Sequence, residues 1–167
     1  MAQAGVSTNG ITFSYGIGGN SRDGAKPSSM TFLDRINAIG GISITDEVID
    51  SSALEDLFTR NIKGRGDTGG SFPVTVNITD ETIKEWKAVI SAHKDLTSSQ
   101  GLWFQTIIPG LTDSFWVIAE PPSIIPQPEF GQNALLTVEM NMTISDYVGD
   151  SAVVEPAPNP VVSPGET

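Results

Sequence analysis

The chain contains no cysteine, which removes disulfides, thiolate zinc sites and cysteine nucleophiles together. It has one histidine, His93, so a Ser-His-Asp device or an imidazole metal centre would have to rest on that residue with no second imidazole. His93 falls in the last turn of a predicted helix, where the macrodipole favours His or Lys without any chemistry. Bases are scarce: nine Lys and Arg stand against twenty acids, a net charge of −11. Proteins that grip phosphate backbones recruit Lys and Arg to displace counterions, and those that dock on anionic lipid do the same, so the charge argues against both. No run approaches the roughly 18 apolar residues of a membrane span. The first residues, Met1-Ala2-Gln3-Ala4-Gly5, have neither the basic nor the apolar region of a signal peptide, so no secretory route is expected.

Catalytic patterns are missing as well. Gly16, Gly18 and Gly19 cluster, but no dinucleotide-binding or P-loop motif follows from them, and no EF-hand spacing occurs. Acid pairs are frequent, as in any chain this acidic, but none lies in an aromatic-rich cleft pattern. The residues therefore imply no enzyme, no cofactor and no metal. Arg65-Gly66-Asp67 matches an integrin-binding tripeptide, yet its flanking glycines read as a turn. Asn77 and Asn141 match the glycosylation pattern but fall inside predicted strands.

What is present points to β structure. The 167 residues suit one domain large enough to bury a core unaided. Only 17% are charged, against about a quarter in an average domain. Seventeen Gly and eleven Pro fill the difference with turn chemistry. Ile11–Tyr15 alternates and reads as a strand stopped by the glycine cluster. Met30–Ile44 reads as two strand segments kinked at Gly40-Gly41. Phe72, Val74, Val76 and Ile78 share one face of a strand that begins at Phe72-Pro73. The period then changes. Thr79 offers an N-cap, and Ile83, Trp86, Val89 and Ile90 form a helical stripe, which predicts a helix over 80–94. Leu102–Ile108 and Phe115–Ala119 form a hairpin apolar on both faces, through Trp103, Ile107, Trp116 and Ile118. In Leu135–Tyr147, Leu136, Val138, Met140, Met142 and Ile144 point one way, and Thr137, Glu139, Asn141 and Thr143 the other. A half-buried antiparallel strand has that pattern.

The expected fold is mainly β (α+β): an antiparallel β-sandwich with one flanking helix, a long projecting loop and flexible termini. Residues 1–148 form the domain, with an arm at 1–9, and 149–167 form a proline-rich acidic tail. The loop, 45–71, is the most unusual segment. It carries Asp46, Glu47, Asp50, Glu55 and Asp56 and then Arg60, Lys63 and Arg65. It has too few core residues to pack as a strand pair by itself, and it exceeds the roughly 12–15 residues beyond which a loop is usually functional. An acidic block followed by a basic block suits head-to-tail self-association, one copy's acids facing the next copy's bases. The same charges also suit a solvated surface hairpin.

The run Ile42–Asp56, followed by Arg60-Asn61-Ile62-Lys63-Gly64-Arg65-Gly66-Asp67-Thr68-Gly69-Gly70-Ser71-Phe72-Pro73-Val74-Thr75-Val76-Asn77, resembles the major tail tube proteins of long, non-contractile-tailed bacteriophages. The downstream order of helix, Trp103-Phe104 strand, Phe115-Trp116 strand and closing strand also fits, so the resemblance covers most of 10–148. It implies a virion protein, assembled in the host cytoplasm, that forms hexameric rings stacking into a hollow tube. Neighbouring sheets would join edge to edge, and loop 45–71 would reach an adjacent ring or subunit. Partners would be other copies and the proteins at the tube ends: tape measure, tail tip and terminator. DNA would pass without specific binding, because an acidic, hydroxyl-rich lumen repels phosphate. Thr137, Glu139, Asn141 and Thr143 are the candidate lumen face, although the same face suits the tube exterior.

Two rivals remain. One is a tube protein of a contractile tail or type VI secretion apparatus. The other is a carbohydrate-binding β-sandwich that would use Trp103 and Trp116 as sugar platforms, if they were exposed.

Overall fold

The computed structural model describes residues 9–157, which form ten strands and one helix. In chain order these are β1 (Thr12–Gly19), β2 (Met30–Leu33), β3 (Ile36–Ile39), β4 (Thr45–Asp50), β5 (Asn61–Asp67), β6 (Ser71–Asn77), α1 (Asp80–Lys94), β7 (Gln100–Ile107), β8 (Asp113–Glu120), β9 (Thr137–Ala152) and β10 (Pro156–Ala157). Eight strands form one sheet in the order β10-β2-β1-β7-β8-β9-β6-β3, and β4 pairs with β5 in a separate ribbon. All pairs are antiparallel except β10 with β2.

That strand order requires a roll. β2 and β3 are six inter-strand steps apart in the sheet, about 29 Å if the sheet were flat. Only Asp34 and Arg35 join them, a link that reaches roughly 10 Å. The sheet must therefore curl until its ends approach, which gives the two facing layers of a β-sandwich-like α+β fold. Arg35 makes the turn with φ 57°, a left-handed conformation costly for a residue that carries a Cβ. Two hydrogen bonds hold the corner: Asn77 N–H donates to the Arg35 carbonyl (2.9 Å), and Asp34 N–H donates to Glu85 Oε2 (3.0 Å). The break between the two strand segments thus falls at Asp34-Arg35, not at Gly40-Gly41 as the spacing suggested. Gly40 instead lets the chain lie against Pro73, where an added Cβ would come within 2.4 Å of the proline ring.

Inside the roll, Phe13, Phe72, Val74, Val76, Leu102, Phe104, Val138, Met140 and Met142 pack together. α1 adds Trp86 and Val89 to the same core, as its stripe requires. Its start is fixed by reciprocal bonds: Thr82 N–H donates to Thr79 Oγ1 (3.2 Å), and Thr79 N–H donates to Thr82 Oγ1 (2.8 Å). This is a capping box with threonine in the usual glutamate place.

A smaller core covers the outer face of β7 and β8. Met30, Trp103, Trp116 and Ile118 are its buried members, with Val148 and Val154 against them. The two indoles meet edge to face at 6.0 Å, and Lys26 Nζ lies 4.3 Å from the Trp116 ring centre. β1 runs through the glycine cluster instead of stopping there. A Cβ on Gly16 would lie 2.6 Å from Met30 Sδ, and one on Gly18 2.7 Å from Trp103 Nε1. Those glycines make room for the second core. Burial of both tryptophans removes the sugar-platform reading, which needed them exposed.

The chain end also departs from expectation. β9 continues past Gly149 to Ala152, paired with β8, and β10 then pairs with β2; residues 158–167 of the expected tail and 1–8 of the arm lie outside the described residues. Gln105, fully buried, pins this segment. Its amide nitrogen donates to the Val154 carbonyl (2.8 Å) and to Ser14 Oγ (3.2 Å), while its oxygen accepts from Val154 N–H (3.1 Å) and Ser114 Oγ (2.7 Å). Gln105→Leu should cost about 2–3 kcal/mol, since it leaves several buried groups unpaired. Limited proteolysis should then cut near 153–157 before the body unfolds; an unchanged Tm and cleavage pattern would contradict this role.

Candidate assembly surface

The segment expected as a loop is a β-ribbon arm. β4 and β5 pair from Thr45↔Asp67 at the base to Asp50↔Asn61 near the tip, with a bulge between Asp46 and Val48. It forms without a core of its own because backbone bonds and local side chains supply its order. Ser51 N–H bonds the Arg60 carbonyl (2.8 Å), Arg60 N–H bonds Ser52 Oγ (2.7 Å), and Ala53 N–H bonds Asp56 Oδ2 (2.7 Å). The Ser52 hydroxyl and N–H hold the Asp50 carboxyl below its usual range. The integrin-like tripeptide, expected as a turn, lies within β5, where Gly66 and Asp67 pair with Asp46 and Thr45; the turn comes after it, at Gly69 and Gly70 with φ of 82° and 80°.

The arm's charges divide into two groups. Lys63 pairs with Asp46 (2.7 Å), and Arg60 pairs with Asp56 (3.3 Å). Glu47, Asp50, Glu55 and Arg65 form no ion pair among the described residues. Exposed ion pairs contribute roughly 0–1 kcal/mol each, so charge alone does not account for the arm. Its apolar residues are the unexpected feature. Seven of the thirteen exposed large hydrophobics of the described residues lie between Ile44 and Ile62. Ile49 and Ile62 face each other across the ribbon, Val48 is 67% exposed, and the tip carries Leu54 (106%), Leu57 (87%) and Phe58 (80%). Isolated exposed apolar residues are ordinary, but a contiguous set marks a surface made to be covered.

The second candidate set lies on the body. On β9, Glu139, Asn141 and Thr143 are exposed and Thr137 is half-buried, while Val138, Met140 and Met142 are buried. Their cross-strand partners on β6 are Asn77, Thr75, Pro73 and Ser71, and exposed Glu120 of β8 lies opposite Thr143, so the outer face here is rich in hydroxyls and amides and has Glu139 and Glu120 as its charges. The arm set and this face are distinct surfaces on different sheets. A third feature is a groove of about 670 Å³ at the mouth of the roll, where the β3 stretch faces the ends of β1, β7, β8 and β9. His93 is half-buried in the last turn of α1, and no cluster able to hold a metal occurs among the described residues. No helix among them is long and apolar enough to cross a membrane.

No family model matches this sequence and no curated protein aligns with it. Solved structures do. A chain of the tube-terminating cap of the anti-feeding prophage superposes with a TM-score of 0.57 at 13% identity, covering 92% of this chain and 95% of that one. A chain from the sheath/tube terminator of the extracellular contractile injection system PVC, in its extended state, gives 0.55 at 13% identity, covering 86% and 95%. The fold is shared. It is shared over nearly the whole of both chains, so the roll and the described fold belong together as one architectural unit.

One buried charge escaped the sequence. Glu85 shows no solvent exposure, and its Oε1 has no partner. Burial pushes its carboxyl up to about 7; the Asp34 N–H bond opposes that rise, and the charges of Asp34 and Glu81 reinforce it. Arg35 lines the same recess, and Tyr15, raised by burial and by Glu85, lies nearby. A carboxyl raised in the folded state binds a proton that the unfolded chain has lost, so its contribution is complete below about 4.5 and disappears as pH passes about 7. Tm should therefore fall by a few degrees between pH 5 and 8. Glu85→Gln, which keeps an acceptor for Asp34 N–H, should flatten that slope; an equal slope in both proteins would refute the assignment.

Proposed function

We propose that this chain is a structural subunit of a phage-tail-like particle, whose copies join into rings that stack as a hollow tube. The exposed apolar arm carries the reading: a rolled, well-filled β body projects a ribbon whose hydrophobic residues find no cover among the described residues. The shared fold with chains of a sheath/tube terminator and a tube-terminating cap supports placement in a tail-type particle. It fits contractile systems as readily as the non-contractile family that the sequence resembles.

In this reading the arm of one copy meets a different patch on the next; engaged head to tail, such heterologous contacts generate rings or open stacks. Six copies per ring is the number the resemblance implies. Glu47, Asp50, Glu55 and Arg65, free of ion pairs among the described residues, are available to set register against a neighbour. Asp46, Asp56, Arg60 and Lys63 stiffen the ribbon through their own pairs. The Thr137, Glu139, Asn141 and Thr143 face, without a base, is the proposed lumen lining past which DNA moves by repulsion. Other tail proteins would meet the tube at its ends.

Ile49→Lys combined with Ile62→Lys tests the reading, because both side chains are exposed and the monomer should fold normally by circular dichroism. Loss of two buried aliphatic contacts at each interface should raise the concentration needed for polymerisation by about 100-fold. Unchanged polymerisation would remove the arm from the interface.

A further inference from the structure

The arm starts at the rim of the groove and contributes no residue to its lining. Ile42 lines the groove, and β4 begins three residues later at Thr45; its six residues span about 20 Å. Leu54, Leu57 and Phe58 are exposed, and none of them lines the groove of its own chain. Phe13, Ile36, Ile39, Ile42, Phe115 and Tyr147 line that groove, and Phe115 is 43% exposed. Among the described residues, the chain thus carries an uncovered apolar tip and a separate, unfilled apolar groove.

We propose that the Leu54-Leu57-Phe58 tip of one copy seats in the β3–β8 groove of the next. The inference rests on the assembly reading above and assigns the receiving surface. Its size agrees: about 670 Å³ is of the order of a small-molecule site and accommodates a few large side chains. Composition favours this occupant over the chain's own first eight residues. Met1–Thr8 contains only Met1 and Val6 as large apolar residues, whereas the tip presents three within five positions. Engaged head to tail, such a contact repeats from copy to copy, whereas a reciprocal exchange would close on two copies and give dimers only.

The absence of cysteine makes the test clean. Gly41 lines the groove and has open space where a Cβ would be added; Glu55 lies on the tip between Leu54 and Leu57. Protein carrying both Gly41→Cys and Glu55→Cys, treated with a short bis-maleimide at a concentration where rings or tubes are visible by electron microscopy, should give a ladder of trimers and larger species. Equimolar single variants should give a mixed dimer and no ladder. Adding Leu54→Asp and Phe58→Asp should reduce the ladder at least tenfold. Visible rings or tubes without a ladder would overturn the groove assignment and leave assembly standing. A ladder indifferent to Leu54→Asp and Phe58→Asp would overturn it too, as would a purely intramolecular cross-link. Particles that remain monomeric at every concentration would overturn both the groove and the assembly reading.

Discussion

The two-residue crossing at Asp34-Arg35 governs this molecule. It obliges strands at opposite ends of the sheet order to sit side by side, and the sheet rolls in response. From the roll follow the enclosed core, the outward β6–β9 polar face and the mouth where β3 faces the ends of its neighbours. Arg35 accepts a left-handed backbone at the corner, and Glu85 accepts burial beside it. Both are unfavourable locally. They persist because the hydrophobic core on either side over-determines the path of the chain.

The arm obeys the opposite logic. A two-stranded ribbon alone in water is marginal, and this one has backbone pairing, a few side-chain bonds and two exposed ion pairs to maintain it. Its base is anchored where Ile144 N–H bonds the Gly70 carbonyl and Gly40 N–H bonds the Pro73 carbonyl. Its apolar residues stay in water. Covering its apolar residues would add to its stability. The internal pairing of Asp46 with Lys63 and Asp56 with Arg60 also shifts the electrostatic picture. Charge helps to shape the ribbon and set its register, while hydrophobic burial supplies the larger share of any contact with a neighbour.

The sequence disclosed those parts whose cause is local. Thr79 and the Ile83–Ile90 stripe mark α1 because capping and a 3.6-residue period are encoded within one segment. The alternation of Val138, Met140 and Met142 against Glu139, Asn141 and Thr143 likewise shows one face of β9. Features with a distant cause were hidden. Nothing about Arg35 signals a left-handed corner. Gly16 and Gly18 look like strand terminators unless Trp103 and Met30 are known to lie above them. Prolines disguised the return of residues 149–157, which depends on Gln105 from a different hairpin. In the candidate site, the charges of 45–71 were legible and its hydrophobic residues were undervalued. Leu54, Leu57 and Phe58 are too few to build a core, and in the proposed assembly they are the residues that engage a neighbour.

Negative-stain electron microscopy of the purified protein over a wide concentration range tests the central claim most directly. The account predicts rings and hollow stacks at high concentration that disperse on dilution. Single particles of monomer size at every concentration would contradict it.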